Sequence, residues 1–180
     1  MTNPPVLPAP PAPRAVRPVL FLDVDGPLIP FGSPLGYPVH EAPGVPSGND
    51  GHPLLSRVDP TLGPRLAALP CELVWATTWM EDANACLCPR LGLPQLPVVE
   101  WPDPSPEDSW GGTHWKTRTL VARAAGRAFV WVDDEIGDAD RRWVSAHHPG
   151  PALLHRVDPR EGLGNADFAV LDAWLRVRAT

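Results

Sequence analysis

Apolar residues in this chain gather into short unbroken runs, and three of those runs end on polar residues. Val19, Leu20, Phe21 and Leu22 lead into Asp23; Leu73, Val74, Trp75 and Ala76 lead into Thr77 and Thr78; Phe129, Val130, Trp131 and Val132 lead into Asp133 and Asp134. Continuous runs of this length predict strands buried on both faces. The stretches between them carry helical spacing. Asp59 caps a predicted helix with Pro60 at its first position and Leu62, Leu66 and Leu69 on one face, its start distorted by Pro64. Residues 80–87 read as a helix closed by Pro89, and Thr113 as the N-cap of another that runs through Trp115, Leu120, Val121 and Ala124 to Gly126. A helix over 139–147 packs Trp143 and Val144, and Asn165 caps a closing helix striped by Phe168, Leu171, Trp174 and Leu175. Weaker strand signals sit at Leu54 and Leu55, at 96–99 and at 152–154. Strands alternating with helices at these lengths predict an α/β fold, a three-layer α/β/α sandwich around a Rossmann-like parallel sheet of about five strands.

Domain organisation follows from where this pattern fails. Residues 1–18 hold seven prolines, so they are expected to form a disordered Pro-rich tail without chemistry. Residues 19–180 read as one domain, interrupted by a small irregular insertion, 29–53, in which Tyr37, Val39 and Val45 allow at most a short hairpin. A loop over 101–112 is acidic, through Asp103, Glu107 and Asp108, and bracketed by Trp101 and Trp110. Substrate specificity is expected to reside in these two irregular segments.

Composition narrows the partners. The 180 residues are 43% hydrophobic and 20% charged, with a net charge of −6. That balance reads as globular and counts against binding nucleic-acid backbones or anionic membranes. Cys71, Cys86 and Cys88 make no zinc motif and no closed disulfide set, so apolar packing in a reducing cytoplasm is expected. The N-terminus lacks the apolar core of a signal peptide, and no segment has the length of a membrane span.

The chemistry lies at the strand ends. In parallel sheets, ligands bind beyond the carboxyl ends of the strands, so DVD, TT and DD point into one crevice if their strands are neighbours. Asp23 and Asp25, two apart before a Gly26-Pro27 turn, converge on a small volume. Clustered carboxylates repel unless a cation joins them, and an all-oxygen donor set suits Mg²⁺ better than zinc. A carboxylate beside Mg²⁺ can attack phosphorus, and a second can exchange protons with the leaving oxygen and with water. A transferring phosphoryl group also needs a hydroxyl and a fixed cation, which Thr77 and Lys116 offer. Of the eight tryptophans, Trp75, Trp131, Trp143 and Trp174 lie on core-facing patterns, whereas Trp79, just past Thr78, is the best candidate for a site wall. The six histidines show no ligand spacing with an acidic partner and read as structural.

In order, LFLDVDG, LVWATT, HWKT and FVWVDD resemble the four motifs of the haloacid dehalogenase (HAD) superfamily, phosphatases and phosphotransferases built on an aspartate nucleophile. Within it, the chain is similar to small bacterial members grouped with the HAD domains of RNA-repair proteins. The resemblance implies Asp23 as nucleophile, Asp25 as general acid/base, and Thr77 and Lys116 as the phosphoryl cradle. It further implies Mg²⁺ bound by the Asp23 carboxylate, the Asp25 backbone carbonyl and a carboxylate of the Asp133 and Asp134 pair, Asp134 first, with Asp138 supporting through water. Pro27 departs from the small or β-branched residue usual there, and no large cap insertion is present. The expected function is a cytoplasmic Mg²⁺-dependent phosphatase acting on a phosphorylated substrate through an aspartyl-phosphate. The alternatives are a nucleic-acid end-processing phosphatase and a HAD-like binding or regulatory domain without turnover.

Overall fold

A computed structural model describes residues 17–41, 52–103 and 112–179. Most of the Pro-rich tail, part of the 29–53 insertion, and Glu107, Asp108 and Trp110 of the acidic loop lie outside the described residues. The first apolar run forms strand β1 (Val19–Leu22), the second β2 (Glu72–Trp75), the third β3 (Phe129–Asp133), and β4 spans Ala152–Arg156. They make a parallel sheet in the order β2-β1-β3-β4, with Leu22 level with Trp75 on one side and Val132 on the other. The chain steps from β1 to β2 and then back across β1 to reach β3. That reversal opens a crevice at the carboxyl ends of the middle strands.

Alternation along each strand divides the core in two. Leu20 and Leu22 join a cluster with Leu62 and Leu66 of helix α1 (Leu62–Ala67), Leu91, and Leu171 and Leu175. Val19 and Phe21 join a second cluster with Phe129, Trp131, Leu120, Ala124 and Val144. Both faces of the sheet are thus withdrawn from water, which is why the strands tolerate unbroken apolar sequence. The first cluster is completed by α2 (Asp82–Cys86), α3 (Cys88–Leu91) and α6 (Asn165–Arg176), the second by α4 (Thr117–Ala124) and α5 (Asp138–His147).

The elements differ from the sequence expectation where proline or a short turn intervenes. Leu54 and Leu55 lie in a 3-10 helix, Pro53–Arg57, rather than a strand. Asp59 does not cap α1 directly; its Oδ1 accepts the Thr61 N–H at 2.8 Å, and the helix begins two residues past Pro60. The helix expected over 80–87 is shorter, Asp82–Cys86, and Pro89 does not close the helical region but lies in the first turn of α3, which Gly92 ends in a left-handed turn at φ +63°. Residues 96–99 supply only a parallel bridge between Val98 and Trp75, so the sheet has four strands among the described residues. Thr113 lies outside α4, whose N-cap is Lys116. Residues 29–41 of the insertion contain no hairpin. All three cysteines are free, Cys71 and Cys88 within the apolar core. Among the described residues no helix is long and apolar enough to cross a membrane.

One close approach ties α1 to α3. A Cβ added to Gly63 would stand 1.7 Å from the Leu91 carbonyl oxygen, which is backbone and cannot rotate away. Gly63→Ala is therefore expected to destabilise the fold by about 3 kcal/mol, near the upper end of overpacking costs. Urea unfolding followed by circular dichroism measures it; an unchanged midpoint would show that the two helices are not in contact.

Candidate active site

Strand periodicity determines which acids meet. Phe21 and Asp23 share one face, as do Trp131 and Asp133, and this is the face on which α4 packs through Leu120 and Ala124. Asp23 continues β1 into the crevice, its N–H donating to the Val132 carbonyl at 3.0 Å. Lys116, at the head of α4, projects into the same volume and is only 3% exposed. Its Nζ lies 2.8 Å from Asp23 Oδ2 and 2.8 Å from Asp133 Oδ2. The lysine thus bridges the carboxyl ends of two neighbouring strands.

The partners of each carboxylate assign different tasks. Asp133 is heavily engaged: Oδ2 also accepts the Trp131 indole N–H at 3.1 Å, and Oδ1 accepts the Glu135 N–H at 2.9 Å. It positions Lys116 and has little left to offer a cation. Asp134 is buried, with its backbone carbonyl held by Arg156 Nε at 2.8 Å. Its carboxylate lies against the first loop, where Gly26 has φ +84° and an added Cβ would come within 2.7 Å of Asp134 Cγ. Only glycine permits both the turn and that approach. Asp23 Oδ1 accepts the Val24 N–H at 2.8 Å, so the peptide that follows β1 orients the carboxylate.

Charge does not balance here. Carboxylate oxygens of Asp23, Asp133 and Asp134 lie within 4.8 Å of one another, all three residues buried, with the single Lys116 ammonium among them. Burial pushes the Asp23 carboxyl up to about 7, against the lowering pull of Lys116 and with a further push from Asp133. Burial raises Asp134 also, and the Asp133 charge adds to it. Burial would lower the Lys116 ammonium, but the attraction of Asp23 and Asp133 outweighs it and holds the lysine above its ordinary range. An anionic, all-oxygen cluster of this size fits a hard divalent cation, which Asp23 and Asp134 are best placed to hold.

The remaining expected residues divide between centre and rim. Asp25 is half-buried and accepts the Trp79 indole N–H on Oδ2 at 3.0 Å, which places Trp79 beside the first loop. Thr77 is fully buried, its Oγ1 accepting the Trp79 N–H at 3.3 Å and its carbonyl the Trp101 indole N–H at 3.0 Å. Asp138 is exposed at the start of α5 and is not among the clustered carboxylates. Two histidines have acidic partners in space that the sequence spacing did not reveal: His114 meets Glu135 at 3.0 Å and His155 meets Asp167 at 2.7 Å.

Asp140 was not foreseen. It is 2% exposed; Oδ1 accepts the His114 N–H at 2.7 Å and the Thr117 hydroxyl at 2.6 Å, while Oδ2 accepts the Gly137 N–H at 2.8 Å. It clamps the residues on either side of Trp115 and Lys116 to the first turn of α5. The available signal was an acid three residues past a helix-starting glycine, on the same helical face as Val144. Compared with known proteins, the chain matches no family model, no curated protein sequence and no solved structure.

Removing the clamp should be costly. Asp140→Ala strands two partly buried backbone N–H groups and the buried Thr117 hydroxyl and is expected to cost about 3 kcal/mol, whereas Asp140→Asn keeps an acceptor at Oδ1 and should cost less. Thermal unfolding of the two variants beside the parent checks the order; equal losses would mean that the Oδ1 bonds contribute little.

Proposed function

We propose that the protein is a Mg²⁺-dependent phosphatase of the haloacid dehalogenase type, working through an aspartyl-phosphate on Asp23. The observation that carries this reading is the Lys116 ammonium set 2.8 Å from both Asp23 and Asp133, beside the buried Asp134. A purely structural ion pair would match one lysine to one carboxylate, because uncompensated buried charge is strongly destabilising. A surplus of carboxylates is explained by a cation and a phosphoryl group that arrive together. The reading takes with it the three-layer sandwich of that superfamily.

Asp23, Asp134 and the Asp25 carbonyl would hold Mg²⁺, which would supply charge neutralisation for the phosphoryl oxygens and ease the approach of one anion to another. Lys116 contributes a second, fixed positive charge on the opposite side of Asp23 from the Val24 N–H, and keeps the carboxylate aimed. An Asp23 oxygen attacks phosphorus; the phosphorus–ester oxygen bond breaks, and Asp25 gives its proton to the leaving alcohol. Asp25 then takes a proton from water, whose oxygen attacks phosphorus as the bond to Asp23 breaks, releasing inorganic phosphate and the free carboxylate. Trp79 restrains Asp25 through the 3.0 Å indole hydrogen bond, leaving its other oxygen for this exchange. The Thr77 hydroxyl is the neutral donor toward the transferring group.

Two outcomes test the proposal. Asp23→Asn should reduce release of phosphate from p-nitrophenyl phosphate by about a thousandfold or more while leaving the circular dichroism spectrum unchanged, and undiminished turnover would exclude the covalent route. The second concerns protons. With Asp23 protonating near 7 before a cation binds, Mg²⁺ must displace that proton at lower pH. Affinity should hold steady above pH 7 and fall by about tenfold for each pH unit below it. Titration calorimetry in buffers of differing ionisation enthalpy reads the released proton, and a pH-independent affinity with no proton release would contradict the site.

A further inference from the structure

Immediately beside the phosphoryl cradle is a cavity of about 600 Å³ lined by Thr78, Met80, Trp101, Asp103, Trp115 and Thr119 among others. Its walls are continuous with the site at three points. Thr78 follows Thr77 in sequence, Trp101 donates its indole N–H to the Thr77 carbonyl at 3.0 Å, and the Trp115 ring centroid lies 5.6 Å from Lys116 Nζ. Trp101 and Trp115 meet edge to face, with centroids 4.7 Å apart and planes at 70°, which makes an aromatic corner rather than a flat patch. Trp115 is nevertheless 40% exposed and Met80 37% exposed, so apolar surface that packing would normally cover is left open to solvent. Met80 is also held at φ +50°, a conformation unfavourable for a side chain of its shape.

Resting on the phosphatase reading, we propose that this corner binds the leaving group, and that the substrate is a phosphomonoester whose alcohol carries a flat aromatic ring. The ring fills the angle between the Trp101 and Trp115 indoles, with the Met80 thioether against it, while Lys116 and Thr77 hold the phosphoryl group. Aromatic rings prefer such edge-to-face and offset contacts, and sulfur packs well at their edges. Asp103, at the cavity wall, disfavours a leaving group that bears further negative charge, so a single-phosphate small molecule fits better than a polynucleotide.

The test uses the full chain with Mg²⁺ and separates binding from turnover. Benzylphosphonate and ethylphosphonate, which cannot be hydrolysed, are titrated while tryptophan fluorescence is followed. Benzylphosphonate should bind about tenfold more tightly in the parent, and that preference should vanish in Trp115→Ala and persist in Trp115→Phe. Equal affinities, or a preference untouched by Trp115→Ala, would overturn the proposal. Turnover of benzyl phosphate, a nucleoside 5′-monophosphate and ethyl phosphate, whose leaving alcohols are all unactivated, then identifies the source of the ring. Higher kcat/KM for benzyl phosphate indicates an aryl substrate, and for the nucleotide a nucleobase; no advantage for either over ethyl phosphate counts against the pocket. Absence of turnover with all three, alongside selective benzylphosphonate binding, would remove the phosphatase reading and keep the aromatic site.

Discussion

The bridge from Lys116 Nζ to Asp23 and Asp133, 2.8 Å to each, is the contact on which the site depends. It joins the ends of β1 and β3, which are already hydrogen-bonded neighbours, to the head of α4, which is not part of the sheet. Burial makes the bridge consequential. In a low-dielectric crevice one ammonium cannot satisfy three carboxylates, so the site is left with unbalanced negative charge that a cation or a proton must offset. Burial raises the Asp23 and Asp134 carboxyls, with the Asp133 charge adding to both, while the attraction of Asp23 and Asp133 holds the lysine above its ordinary range.

Support for the bridge is layered around it. Trp131 and the Glu135 N–H fix Asp133, the Val24 N–H orients Asp23, and Asp140 clamps the peptides flanking Lys116. These contacts are short, 2.6–3.1 Å, and buried or partly buried. The cavity walls at Met80, Trp101 and Trp115 come from connecting segments, and Trp115 lies between the clamped His114 and Lys116.

Much of this was legible in the sequence because parallel strands announce themselves. Unbroken apolar runs ending at Asp23, Thr77 and Asp133 placed β1, β2 and β3 closely, and period-two alternation from Phe21 and Trp131 carried both acids to one face. Lys116 had no local signal of its own; it becomes central only when α4 packs over Phe21 and Trp131. Asp140 was hidden for a related reason, since an acid in the first turn of a helix reads as a solvated cap until the loop before α4 is brought down on it. Residues 96–99 looked like a strand from their composition, but two prolines flanking Leu96 leave few N–H groups for a ladder and only one bridge forms. Leu54 and Leu55 were misread similarly, Pro53 favouring the tight 3-10 turn.

The central claim is that Asp23 forms a covalent bond to phosphorus. Reacting the full chain with p-nitrophenyl phosphate and Mg²⁺, quenching in acid, reducing with borohydride and sequencing the peptides by mass spectrometry tests it most directly. An acyl phosphate at position 23 is reduced to a homoserine side chain, and the account predicts that change there and at no other aspartate. Steady phosphate release without any reduced aspartate, or with the change at Asp25 or Asp134 instead, would contradict it.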